Sequence, residues 1–108
     1  MNKIILIGRL VARPELKETS SKNSYTKFTM AVNRKVKGEA DFINCIAWNK
    51  QAELITKYFD KGNLIAIDGT LNINKYDDKD GNKRETTEVV IDNFDFVESK
   101  KGDSEDVK

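Results

Sequence analysis

With 108 residues, the chain is long enough for one hydrophobic core and too short for two. Hydrophobic residues make up 38% and charged residues 34%, and no apolar run approaches the roughly 20 residues of a membrane-spanning helix, so membrane insertion is not expected. The formal net charge of +1 conceals an asymmetry: residues 1–37 carry nine Lys/Arg against two Glu, and residues 38–108 carry ten basic against sixteen acidic residues. A basic front half suits a nucleic-acid surface, although a merely solvated surface would show it too. The opening MNKIILIGRLVARPEL has charges close behind its apolar run and no small-residue cleavage pattern, and so reads as structure and not as a signal peptide. Cys45, the only cysteine, allows neither an intramolecular disulfide nor a paired-thiol metal site, which fits a reducing cytoplasm.

In chain order, NKIILIGRLV predicts a first strand interrupted by Gly8 and ended by Arg13-Pro14, because a residue before proline is pushed out of helical geometry. The polar KETSSKNS predicts a loop. YTKFTMAVNRK alternates, with Phe28, Met30 and Val32 on one face and Thr29, Ala31 and Asn33 on the other, and is the second strand. After a turn at Gly38, ADFINCIAWNK is the third. Its period-2 geometry puts Ile43, Cys45 and Ala47 on one side and Phe42, Asn44, Ile46 and Trp48 on the other. NKQAELITKYFDKG changes period: Ala52, Ile55 and Phe59 fall at i, i+3 and i+7, with Asn49 as N-cap and Gly62 as stop signal, predicting a helix of about three turns. LIAIDGTLNINKY is a fourth strand with an expected core face of Ile65, Ile67, Gly69, Leu71 and Ile73, leaving Asn72, Asn74 and Tyr76 outward. The turn DDKDGNK leads to TTEVVIDNFDFVE, the fifth strand. SKKGDSEDVK is almost without apolar residues, so the expected division is a folded domain over residues 1–98 and a short flexible polar tail over 99–108.

Three strands, one helix and two strands, with glycines inside the long first and fourth strands where a sheet must bend to close, is the order of an all-β OB-fold. That fold is a five-stranded Greek-key barrel with its helix between strands 3 and 4. An SH3-like barrel or an open α+β sheet would compete, and the place of the helix favours the OB order.

The chain has no histidine, no GxSxG elbow and no phosphate-cradling glycine run, so neither catalysis nor a bound cofactor is expected. YDDKDGNKRETTE superficially resembles a calcium loop, but Tyr76 and Thr87 occupy the first and last ligand positions, and a polar hairpin tip is the better reading. What the third strand offers is a second apolar face. If Ile43, Cys45 and Ala47 fill the barrel, Phe42 and Trp48 lie outside, where large apolar groups call for a cover. Tyr76, with Asn72 and Asn74, joins that surface, flanked by Arg34, Lys35, Lys37, Lys50 and Lys75. Aromatics interleaved with cations suit single-stranded nucleic acid: bases stack on rings at about 1–3 kcal/mol each while Lys and Arg follow the phosphates. The same residues also admit plainer roles: the aromatics under the helix or in a subunit contact, Tyr76 over a hairpin, Cys45 as an inert core residue. An OB-type protein-interaction module using the same face is the alternative function, and stacking alone does not separate DNA from RNA.

The segments NKIILIGRL, FTMAVNR, ADFINCIAWNKQAE, YFDKGNLIAIDGTLNINKYDDKDG and TTEVVIDNFDF together resemble the bacterial single-stranded DNA-binding protein family over roughly residues 1–97. The resemblance implies an OB fold, a homotetramer, and a non-catalytic role coating single-stranded DNA in replication, recombination or repair. It matches Phe42 and Trp48 to the family's stacking aromatics and Tyr76 to the aromatic ending the long fourth strand. Lys3, Lys50 and Lys75 match basic positions that contact the nucleic-acid backbone. Val36 and Glu85 stand where aromatics are common and Asn72 with Asn74 where a basic pair is common, which implies fewer platforms and a weaker electrostatic contribution. The long tail with an acidic tip that recruits partner proteins has no counterpart in DSEDVK, so recruitment by that route is not expected.

Overall fold

The computed structural model describes residues 1–98; the tail expected over 99–108 lies outside the described residues. The elements are β1 (Ile4–Leu10), β2 (Lys17–Glu18), β3 (Ser24–Asn33), β4 (Ala40–Trp48), α1 (Asn49–Tyr58), β5 (Leu64–Asp77) and β6 (Lys83–Phe96). Five long strands and a helix thus occur in the expected order. The short β2 is an addition: the stretch read as loop contributes Lys17 and Glu18, which pair with Tyr25 and Ser24.

Hydrogen bonding orders the strands β1-β5-β6-β4-β3-β2, and β1 pairs also with β3, which closes the sheet into a barrel. β1 runs beside β5 from Ile4↔Gly69 to Arg9↔Leu64, then meets β3 at Arg9↔Ala31 and Leu10↔Met30. Gly8 sits at this transfer, where a Cβ would lie 2.5 Å from the Ala31 carbonyl oxygen; any side chain would push the strands apart. The second corner is at Gly69. There the β5–β6 register slips, leaving Asp92 unpaired between Ile91 and Asn93 as a bulge, and Thr70 Oγ1 donates to Asp92 Oδ2 at 3.2 Å. A Cβ on Gly69 would run into the Val90 carbonyl.

The alternation read from the second and third strands places Phe28, Met30, Cys45 and Ala47 inside. Leu10, Ile65, Ile67, Val89 and Ile91 complete the barrel wall, and Ala52 and Ile55 of α1, with Phe59 just after its end, pack against it. Each fully buried Ile or Leu contributes about 1.5–3 kcal/mol. Phe59 stacks on Phe96 at 4.9 Å between ring centroids and meets Phe94 edge-on at 5.6 Å.

Three expectations are corrected. Asn49 does not cap α1: Trp48 holds the N-cap position without a side-chain bond, while Asn49 adopts φ +50° and its Oδ1 accepts the Ser24 N–H at 3.1 Å. Asparagine tolerates this left-handed geometry better than most residues. Ile46, expected outward, is buried, because it is flanked by strands on both sides, paired with Lys27 of β3 and Val90 of β6. Leu71 and Ile73, expected in the core, are exposed, because beyond Gly69 β5 and β6 leave the barrel as a two-stranded arm.

Candidate nucleic-acid interface

Residues directly opposite in a ladder share a face, so the register defines the outer surface. On the β3–β4 ribbon it carries Tyr25, Lys27, Thr29 and Ala31 opposite Trp48, Ile46, Asn44 and Phe42. On the β5–β6 arm it carries Thr70, Asn72, Asn74 and Tyr76 opposite Val90, Glu88, Thr86 and Arg84. The two ribbons are joined by the parallel pairs Cys45↔Val89 and Ile46↔Val90 and diverge from there. Between them opens a groove lined by Lys27, Thr29 and Asn44 on one bank and Thr86 and Glu88 on the other.

Trp48 and Phe42, on the outer face of β4, are 39% and 67% exposed, and Tyr76, on the outer face of the arm, is 51% exposed. The backbone register therefore places all three rings outside the core, as the sequence requires. Phe42 and Trp48, six residues apart on an extended strand, are separated by about 20 Å. Tyr76 lies at the same end as Phe42, toward the tip of the arm. Asn72 and Asn74 face outward between Tyr76 and the barrel, exposed. Thr29 Oγ1 donates to Asn44 Oδ1 at 3.0 Å, bracing the floor across β3 and β4.

The expected cations fall into two groups. Lys35, Lys50 and Lys75 form no ion pair among the described residues. Lys35 is in the β3–β4 turn beyond Phe42, and Lys50 follows Trp48 in the first turn of α1. Lys75 is on the arm face opposite Tyr76, across from Glu85, although both residues line the concavity at the arm's end. Arg34 and Lys3 are engaged instead. Arg34 is 2.9 Å from Asp41 and 3.8 Å from Glu39, and its hydrogen bond to Asp41 raises its pKa further. Lys3 is 3.1 Å from Asp68. Such exposed pairs are worth about 0–1 kcal/mol and exchange readily for a phosphate, but they lower the charge on offer.

Sequence reasoning missed Tyr25, which packs on Trp48 at 5.4 Å between centroids, tilted by 41°. The signal was present: the alternation that puts Phe28 and Met30 inside puts Tyr25 and Lys27 outside with Thr29. It also missed Glu88, a carboxylate on the groove wall. Cys45 lies on the core side of the groove floor, where burial, and secondarily Glu88, pushes its thiol up to about 12, so it stays protonated and inert. Among the described residues no group of three acidic or cysteine side chains could hold a metal ion, and no helix is long and apolar enough to cross a membrane.

The sequence profile of the Single-strand binding protein family matches residues 1–97. A "Single-stranded DNA-binding protein" of Clostridium perfringens is 46% identical over 104 residues, covering 94% of this chain and 69% of the relative. "Single-stranded DNA-binding protein 2" of Streptococcus agalactiae serotype V is 47% identical, covering 92% and 79%. A "Single-stranded DNA-binding protein" of Bacillus cereus is 41% identical over 110 residues, covering 97% and 65%. With a profile match over nearly all the described residues and relatives well above 30% identity, the chain belongs to the single-strand binding protein family.

Proposed function

We infer that this chain binds single-stranded DNA with little regard to sequence and protects it in the cytoplasm, a non-catalytic role in replication, recombination or repair. The observation that carries this reading is the set of exposed rings, Phe42, Trp48 and Tyr76, on the outer faces of the two ribbons that flank the groove. Every base has a π-face, so rings at such spacing accept any sequence, at about 1–3 kcal/mol per stacked base. Lys27, Lys35 and Lys50, none in an ion pair among the described residues, then neutralise phosphates, joined by the equally unpaired Lys75 from the concavity that it shares with Tyr76 at the arm's end. Four such contacts give a log–log salt slope of about −3. Asn72 and Asn74 offer neutral hydrogen bonds on the arm bank; Arg34 and Lys3 join when their carboxylate partners yield.

Assembly as a homotetramer is part of the proposal. β1 is bonded along Ile4–Arg9 on its β5 side, and its other edge meets β3 only at Arg9 and Leu10. Ile5 and Ile7 stand exposed on that strand, and Leu71 and Ile73 on the arm. An open edge beside exposed isoleucines invites pairing with a second copy.

The test is a titration with poly(dT), read by Trp48 emission. Strong quenching that weakens as salt rises is expected, and Trp48→Ala should weaken binding measured by anisotropy of a labelled oligonucleotide. Emission unchanged at low salt, with no anisotropy rise, overturns the reading. Matched DNA and RNA oligomers in competition decide the sugar preference.

A further inference from the structure

Beyond Trp48 the outer surface does not end. Across β2, β3 and β4 the register sets Lys17, Tyr25 and Trp48 directly opposite one another, a row of cation, ring and ring. Strands are about 4.8 Å apart, so the row runs about 10 Å across the sheet, transverse to the groove. Tyr25 leans on Trp48 at 5.4 Å, and the cleft beside it is lined by Arg13, Glu15, Lys17 and Lys27. Three cations thus face one carboxylate, and among the described residues none of the three forms an ion pair.

The row is held in place. Asn49 Oδ1 accepts the N–H of Ser24, the residue before Tyr25, at 3.1 Å. The loop between β2 and β3 is closed by Thr19 N–H to Asn23 O and Lys22 N–H to Thr19 O, both 2.9 Å. The left-handed backbone at Asn49 acquires a purpose: it ties the start of the helix to the start of β3, fixing Tyr25 against Trp48.

The geometry points to a second subsite for the same ligand, in which a single strand leaving Trp48 turns across β3, sets its next base against Tyr25, and places the following phosphates over Lys27, Lys17 and Arg13. The inference rests on the single-strand binding proposed above. It adds a direction of travel, from the groove toward the β2 edge, and a set of residues beyond those that the sequence nominated.

Oligonucleotides of graded length are titrated over a range of salt concentrations against the full chain, Arg13→Ala/Lys17→Ala, Tyr25→Ala, Tyr25→Phe and a charge-matched control, Lys57→Ala/Lys61→Ala. Loss of two phosphate contacts at about 0.7 each reduces the salt slope by about 1.4 for Arg13→Ala/Lys17→Ala. Tyr25→Ala lowers affinity by about five-fold or more, the lower end of a lost stacking contact, and Tyr25→Phe restores it. Both losses grow with oligonucleotide length and vanish for oligomers too short to reach past Trp48. An unchanged slope in the double variant, or an equal fall in the control, overturns the subsite while leaving the groove intact. Failure of the unaltered chain to bind any oligomer overturns the underlying reading instead.

Discussion

The two halves of β5 carry the same alternating pattern and meet opposite fates. In Ile65–Gly69 every second residue is buried; in Leu71–Tyr76 every residue on both faces is exposed. The change falls at Gly69, where the bulge at Asp92 turns β6 and the pair of strands leaves the barrel. Alternation reports that a strand has one apolar side; it carries no information about whether anything lies against that side. The barrel half makes the fold, and the arm half presents two surfaces, Asn72, Asn74 and Tyr76 toward the groove and Leu71 and Ile73 away from it.

The sharpest contrast is in stability. Ile65→Ala empties a fully buried site and should cost about 2–5 kcal/mol in urea unfolding. Ile73→Ala on dilute, dissociated chain should stay within about 0.5 kcal/mol. Equal losses would mean that the arm is packed and the division is false. Next is binding: Trp48→Ala at the barrel end of the groove and Tyr76→Ala on the arm should each remove a stacking contact, about 1–3 kcal/mol in oligonucleotide affinity. If only Trp48 matters, the arm is not a bank of the groove. Ile73→Ala should also lower the assembled mass by light scattering, and an unchanged mass removes the arm from the subunit contact. The smallest effect is at the arm's tip, where the Arg84 guanidinium, 2.8 Å away, and the N–H groups of Asn82 and Asp80 hold the Asp78 carboxyl below its ordinary pKa. A lowered folded-state pKa means that this stabilisation is present above the usual carboxylate range of about 4 and is lost as pH falls through the lowered value. Amide exchange at Asp80 and Asn82 should therefore be slower than in Asp78→Asn at neutral pH, with the difference vanishing in strong acid. A difference that persists there would assign the tip's order to the Gly81 turn instead.

Much of this was legible in the residues. The order of strands and helix, the corners at Gly8 and Gly69, and the outward rings of Phe42, Trp48 and Tyr76 follow from period and glycine placement. What was not legible depends on neighbours distant in sequence. Ile46 is buried because strands from both sides shade it, and Leu71 and Ile73 are exposed because the barrel ends before they do. Asn49 has the chemistry of a cap yet bonds Ser24, 25 residues away, and Arg34 and Lys3 look free until Asp41 and Asp68 are placed beside them. Tyr25 was readable from alternation alone, and its partnership with Trp48 needed the register.

The central claim, that the outer rings beside the groove carry the bases, is tested most directly by photochemical cross-linking of a bromodeoxyuridine-substituted single strand, with the attached residues mapped by mass spectrometry. Attachment at Trp48, Phe42 and Tyr76 is the expected result. Attachment confined to the Ile5, Ile7, Leu71 and Ile73 surfaces, or none under conditions where the strand is bound, would contradict it.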